Sequence, residues 1–350
     1  YIYFSEENYD RAMYAYEQLL TEPDATIPLR TSSLLTLAQL NLVKENWDKG
    51  INLILQWMDE VESITAQSYY LLGSAYFQKE DYVKARSSME EAIRLADEEG
   101  YRPRENWYVL LAACFSELKE KKIIGATFAL EQQLGIYEIL VNYYPKKIYF
   151  LQLGGTYQQM DREEDYMITL KAAFEKDLLD KEGEYLALAQ LLLLSKNPYW
   201  AANVLIAGQN KKVVIKNEKS GEDETVQVLK DTEKNLKLLA DSWRMAQEID
   251  KAIPVLEKAA AMSKNGDTYV LLGNLYLFED RMKDSIRAIE AGLKKEKVKS
   301  RSQAQLVLGQ AHFELENFDE AKKQFRAAAR DKDTRIKKTA NSWIKYVENE

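Results

Sequence analysis

The stretch YFQKEDYVKA, Tyr76 to Ala85, opens on an aromatic residue, turns through charged residues, and closes on a second aromatic and a small residue. The same plan returns as HFELENFDEA (His312–Ala321), YLFEDRMKDS (Tyr276–Ser285), WRMAQEIDKA (Trp243–Ala252), NLVKENWDKG (Asn41–Gly50) and YFSEENYDRA (Tyr3–Ala12). Weaker copies read YQQMDREEDY (Tyr157–Tyr166) and LLSKNPYWAA (Leu193–Ala202). Upstream of most copies a leucine precedes a small residue, as in Leu72-Gly73, Leu111-Ala112, Leu153-Gly154, Leu239-Ala240, Leu272-Gly273 and Leu308-Gly309. The small position recurs at 38, 73, 112, 154, 240, 273 and 309, and Gln190 is assigned to the slot between 154 and 240. A small residue lets two helix backbones approach, and bulky residues fill the gaps between neighbouring helices. The pattern is helix-turn-helix, written repeatedly.

These residues resemble the tetratricopeptide repeat, a unit of about 34 residues with a Leu-Gly…Tyr…Ala…Phe…Ala pattern. Leu72, Gly73, Tyr76, Ala85, Met89 and Ala92 carry it in one copy, and Leu308, Gly309, Ala321, Phe325 and Ala328 carry it in the last. The resemblance implies an all-α fold. It would be a right-handed superhelical α-solenoid of about eight helix-turn-helix units, with a C-terminal capping helix and one inserted β-hairpin. The chain is read as one solenoid over 1–350. It comprises a partial repeat at 1–30, repeats at 31–210, the hairpin at 211–229, repeats at 230–333 and a cap at 334–350. Between Thr334 and Val347 the residues Ile336, Ala340, Trp343, Ile344 and Val347 fall on one helical stripe with lysines between them. A terminal repeat needs such a polar outer face.

Two departures interrupt the period. KKIIGATFAL (Lys121–Leu130) lengthens one repeat between its two helices. VVIKNEKSGEDETVQV (Val213–Val228) alternates, is rich in valine and turns at Ser220-Gly221, which is how a hairpin is written. Its apolar side is Val213, Ile215, Val226 and Val228. An isolated two-stranded hairpin is marginally stable. Two readings stay open: a loop insertion leaning on the helices, or an edge where a partner strand pairs.

Composition narrows the function. The chain has 350 residues, 46% hydrophobic and 30% charged, with a net charge of −8. It has no long basic run, so it lacks the clustered cation that nucleic-acid binding requires. No apolar run approaches the roughly 18 residues of a membrane span. Cys114 is the only cysteine, so no intrachain disulfide forms and cysteine usage does not fix the compartment. The sequence opens at Tyr1 without methionine, which is compatible with a removed leader.

Catalytic constellations are missing. His312, the only histidine, stands where other copies have Tyr3, Tyr76, Tyr157 and Tyr276, and is read as a packing residue. Cys114, beside Ala112, Ala113 and Phe115, is read as a small buried hydrophobe. The carboxylates lie next to lysines on solvated faces, and Gly154-Gly155 has no lysine partner for a phosphate loop. No cofactor and no metal site is expected, and the protein is read as not an enzyme.

The resemblance also implies where a partner sits. In this repeat the first helix of each pair lines a concave face that holds a peptide or protein segment. Carried onto this sequence, that lining is Gln39, Gln67, Tyr70, Ser74, Phe77, Gln78, Asn106, Gln158, Gln159, Asn274, Gln310 and Phe313. Amides bond a peptide backbone as donor and acceptor, and aromatics supply contact area at low entropic cost. Members that clamp acidic chaperone tails carry Lys and Asn in consecutive repeats. Here Lys234, Lys237 and Arg244 are followed by Leu271 and Gln303, which argues against that role.

Four stretches show a narrower resemblance. They are Glu131–Tyr157, Tyr185–Leu205, Thr232–Trp243 and Asp250–Leu277. They are similar to tetratricopeptide proteins encoded beside TonB–ExbB–ExbD systems in Gram-negative bacteria. That implies a periplasmic accessory of a TonB-type transport system. The alternative is a general assembly or chaperone-like adaptor unrelated to TonB, periplasmic or cytoplasmic. The sequence leaves the oligomeric state open.

Overall fold

The computed structural model describes residues 9–216, 221–299 and 301–349. Among them are eighteen α-helices and one two-stranded antiparallel hairpin. They divide into two compact units, residues 1–173 and 174–350. The expected copy beginning at Tyr3 lies partly outside the described residues.

The first unit begins with α1 (Tyr9–Thr21). Four helix pairs follow: α2 (Ile27–Val43) with α3 (Trp47–Glu60), α4 (Ala66–Gln78) with α5 (Tyr82–Glu98), α6 (Glu105–Glu120) with α7 (Ala126–Tyr143), and α8 (Lys147–Gln159) with α9 (Glu163–Glu175). In the second unit α10 (Glu182–Leu194) pairs with α11 (Pro198–Asn210), and the hairpin strands β1 (Lys212–Lys216) and β2 (Asp223–Gln227) come next. Then α12 (Glu233–Met245) pairs with α13 (Ile249–Met262), α14 (Asp267–Phe278) with α15 (Met282–Leu293), and α16 (Arg301–Glu314) with α17 (Phe318–Ala328). The cap is α18 (Thr334–Val347), whose bounds are those of the predicted stripe. The all-α repeat fold with one hairpin and a capping helix is therefore what the residues form.

The small position does what its spacing implies. Ser285 Oγ on α15 donates to the Gly273 carbonyl on α14 at 2.8 Å. A Cβ at Gly273 would lie 2.5 Å from Ile289 side-chain carbons. The two backbones approach to a distance that leaves no room for a side chain.

The turn inside every pair is closed the same way. Glu45, Glu80, Lys122, Asp161, Lys196, Gln247, Asp280 and Glu316 each take a left-handed conformation, with φ between 54° and 64°. The next residue's N–H then bonds back five residues, as in Asp81 to Tyr76 and Arg281 to Tyr276, at 2.9 and 2.8 Å. This satisfies carbonyls that the end of a helix leaves unpaired. Seven residues separate Gly73 from Glu80, and the same interval holds from Ala38, Gly154, Ala240, Gly273 and Gly309 to their turns.

That interval corrects one assignment. Counting back seven from Lys196 reaches Ala189, which is fully buried, whereas Gln190 is exposed. The small slot is Ala189, and the weak copy begins at Leu192, whose carbonyl accepts from Asn197 N–H at 2.8 Å. The run of leucines from Leu191 to Leu194 hides a one-residue slip, because any of them satisfies the pattern. In α6 the interval is ten, from Ala112 to Lys122. The Lys121–Leu130 excess is thus divided. Part extends α6, part forms the turn, and residues 126–130 are the first turn of α7.

The hairpin pairs Val213 with Val226 and Ile215 with Glu224. Its root is tied to the helices: Leu229 N–H bonds the Gly208 carbonyl at 3.0 Å, and Val228 and Leu229 are buried. Beyond the root it extends into solvent, with Val214 64% and Ile215 45% exposed. Residues 217–220, including the expected Ser220 of the turn, lie outside the described residues.

Candidate protein-binding surface

In the first unit the structure brings two of the expected lining residues together. Asn106 Nδ2 on α6 donates to Tyr70 Oη on α4 at 2.6 Å. The Tyr70 ring stacks on buried Trp107, with centroids 5.2 Å apart and planes 11° apart. One residue along, Glu105 accepts both Lys146 Nζ, at 2.7 Å, and the Tyr149 hydroxyl. Those two donors hold the Glu105 carboxyl below the usual carboxylate range, Lys146 contributing most.

The other expected residues of this unit divide by exposure. Gln39, Gln67, Gln78 and Gln158 are exposed, and their amides bond to nothing among the described residues. Gln159 is exposed but committed, donating to the Gly155 carbonyl at 3.2 Å and accepting from Lys119 at 3.4 Å. Phe77 is half-buried, edge-on to Tyr82. Ser74 Oγ is buried without a partner among the described residues.

In the second unit Asn274 spends its amide on its own helix, donating to Val270 O at 2.9 Å. Gln310 is half-buried. Phe313 belongs to an aromatic group with Phe318, Trp343 and Tyr346 at 5.6, 5.4 and 5.4 Å. The expected residues thus form two separate sets, one in each unit.

Sequence reading missed a third feature. The last residue of three successive first helices is a bare hydrophobe: Leu194, Met245 and Phe278 are 72%, 49% and 70% exposed. In the first unit the same register, two residues before the left-handed turn, holds Val43, 65% exposed, and then Gln78, Glu120 and Gln159. The signal was present as the third residue of each aligned copy. At Leu194 the one-residue slip concealed it.

The hairpin residues also move. Val228 N–H bonds Lys211 O across the strands, so narrow and wide pairs alternate from there. By that alternation Val213, Ile215, Glu224 and Val226 spend their backbone groups on each other. The outward-facing backbone belongs to Lys212, Val214 and Lys216 on one edge, and to Asp223, Thr225 and Gln227 on the other. Val213, Ile215, Val226 and Val228 share a face; an incoming strand would meet the residues between them.

Two candidate reactive groups are placed unfavourably for chemistry. Burial pushes the Cys114 thiol up to about 12. Burial also lowers His312, with Glu320 and Glu290 partly opposing it. Among the described residues no group of three or more His, Cys, Asp or Glu is gathered as a metal site would need. No helix among them is long and apolar enough to cross a membrane.

Comparisons with known proteins agree with the helix-pair register. Family models for the tetratricopeptide repeat match residues 66–99 and 270–335. No curated relative matches the chain. Similar solved structures include a tetratricopeptide repeat protein from Parabacteroides merdae, 15% identical, spanning 81% of this chain and 99% of its own, with a TM-score of 0.31. Another is YrrB, described as a tetratricopeptide protein with an unusual peptide-binding site, 12% identical over 59% of this chain and 96% of its own, TM-score 0.43. A third is the TPR2AB domain of yeast Sti1 in a pHSP90 complex, 10% identical over 81% and 98%, TM-score 0.37. Residues 66–99 and 270–335 thus match the tetratricopeptide repeat, and the turn geometry of those stretches repeats in all eight pairs.

Proposed function

We propose that the protein is a non-enzymatic scaffold that holds an extended segment of a protein partner along the first helices of its repeats. One observation carries this reading. Gln39, Gln67, Gln78 and Gln158 lie on three first helices, α2, α4 and α8, of one unit, exposed and without a bond among the described residues. An uncommitted amide donates and accepts at once, which suits a peptide backbone. The resemblance of Glu131–Tyr157, Tyr185–Leu205, Thr232–Trp243 and Asp250–Leu277 supports a finer proposal: a periplasmic accessory of a TonB-type system. The alternative is an adaptor unrelated to TonB.

The test is a cross-linked capture from a native cell envelope. The baits are the intact chain, a Gln39→Ala/Gln67→Ala/Gln78→Ala variant, and a variant lacking residues 212–227. The expected result is capture of a TonB-system component by the intact chain and the hairpin deletion. The amide variant should retain less than about a tenth of it, with an unchanged melting temperature. Capture of a different, defined partner with the same amide dependence would keep the scaffold and remove the TonB proposal. Loss only on deletion of the hairpin would overturn the first-helix surface.

A further inference from the structure

The loops that join one repeat to the next gather positive charge in the second unit. The α13–α14 loop carries Lys264, and the α15–α16 loop carries Lys294, Lys295, Lys297 and Lys299 and leads to Arg301. The α17–α18 loop carries Arg330 and Lys332. These segments are far apart in sequence and adjacent in the fold. Gly266 N–H bonds the Lys297 carbonyl at 2.8 Å, which ties the first loop to the second. A depression of about 490 Å³, whose lining includes Arg301, Ser302, Arg330, Asp331 and Lys332, joins the second to the third. Eight cations thus stand against four carboxylates, Asp267, Glu296, Asp331 and Asp333, in a chain of net charge −8. Two of the four are spent locally: Asp331 accepts from Ser302 and from Asp333 N–H, and Asp333 caps α18 through Arg335 N–H. Lys264, Lys294, Lys297, Lys299, Arg330 and Lys332 are exposed and make no ion pair among the described residues.

From this clustering we infer that the loop edge of the second unit is a docking surface for an anionic phospholipid membrane. The cations are spread over three neighbouring loops on long flexible stems. Nothing among them holds a peptide chain in register, whereas headgroups offer negative charge over an area and need no register. Met262, 53% exposed at the end of α13, lies two residues before Lys264 and supplies an apolar contact at the headgroup boundary. The acidic remainder of the chain does not cancel the attraction, because charges beyond about 8 Å are screened at physiological salt. It sets the orientation instead, turning the loop edge toward the lipid. The inference is independent of the first-helix amides, since the cations belong to the loops between repeats.

The test is co-sedimentation of the whole chain with sucrose-loaded vesicles of about 40% phosphatidylglycerol in phosphatidylcholine, beside vesicles of phosphatidylcholine alone. Binding to the anionic vesicles alone is expected, falling as salt rises from about 50 to about 300 mM. Lys297→Gln/Lys299→Gln and Arg330→Gln/Lys332→Gln should each weaken it about thirtyfold, with an unchanged melting temperature because all four side chains are exposed. Lys212→Gln/Lys216→Gln, the same charge change on the hairpin, should leave it intact. The inference fails if neither vesicle binds, if both bind equally, if the loop variants bind as the wild type does, or if the hairpin variant loses as much as they do. It also fails if a fluorescein-labelled peptide of about ten glutamates binds below about 10 μM and loses that affinity in the loop variants, which would make the occupant an acidic protein segment. Release from the vesicles by about 10 mM inorganic phosphate at constant ionic strength would make the depression a site for free phosphate and overturn the membrane assignment.

Discussion

One four-residue device appears once in each unit. Tyr157 Oη donates to Glu138 at 2.9 Å, Arg162 sits 4.7 Å from the Tyr157 ring centroid, and Arg162 Nε donates to Asp165 at 2.8 Å. Tyr276 donates to Glu257, Arg281 sits 4.5 Å over the Tyr276 ring, and Arg281 Nε donates to Asp284 at 2.8 Å. The spacing is identical, so the repeat copies a polar network as well as a core. Burial, then the glutamate, pushes both tyrosines up to about 12, keeping the hydroxyl protonated as a donor. Tyr276→Phe should cost about 1 kcal/mol in chemical unfolding, and Glu257→Gln should add little to it in a double-mutant cycle.

His312 is the residue of this slot that titrates. Its folded pKa is lowered by burial, so the native state resists the proton that the unfolded chain accepts near pH 6.5. Its stabilisation is fully present above that value and falls as pH drops below it. Replacing it with the tyrosine of the other copies removes this dependence. In urea unfolding at about pH 7.5 and about pH 5.5, His312→Tyr should lose less stability than the wild type over that interval.

At the scale of the element, the turns are the informative part. Eight turns demand a left-handed residue, and none uses glycine, although an L-residue pays roughly 1–2 kcal/mol for that conformation. Glu80→Gly should raise stability by about 1 kcal/mol in thermal or urea unfolding, because the turn closed by Asp81 N–H to Tyr76 O needs no Glu80 side chain beyond its surface pairing with Lys121. The helices and their order were legible because aromatic, turn and small residue recur at fixed spacing. Gln190 failed for a physical reason: four consecutive leucines carry no phase, and only the turn at Lys196 sets it. The strand positions failed because a sequence shows which side chains share a face, while hydrogen-bond phase is fixed by the first cross-strand bond, here Val228 to Lys211.

At the scale of the whole chain, two compact units each carry their own surface chemistry. The first presents Val43 and glutamines that are unbonded among the described residues, and the second presents Leu194, Met245, Phe278 and the aromatic group around Phe313. In each unit helices pack on their neighbours in sequence, so stability is close to a sum of repeat and nearest-neighbour contributions. Which residues line a first helix was legible from the period. Which of them are already committed, as Asn106 to Tyr70 and Asn274 to Val270, was not, because those bonds depend on side-chain geometry that the period leaves free.

The hairpin has a further consequence. Its two strands leave α11 and return toward α12 side by side, with Lys216 opposite Asp223, and the buried root at Val228 and Leu229 holds the helices in place. Whatever joins Lys216 to Asp223 therefore begins and ends at one place, and lengthening it costs only about 0.6 kcal/mol per doubling. The hairpin is a ready-made graft point, where an epitope or reporter could be spliced in while the repeats on either side keep their register.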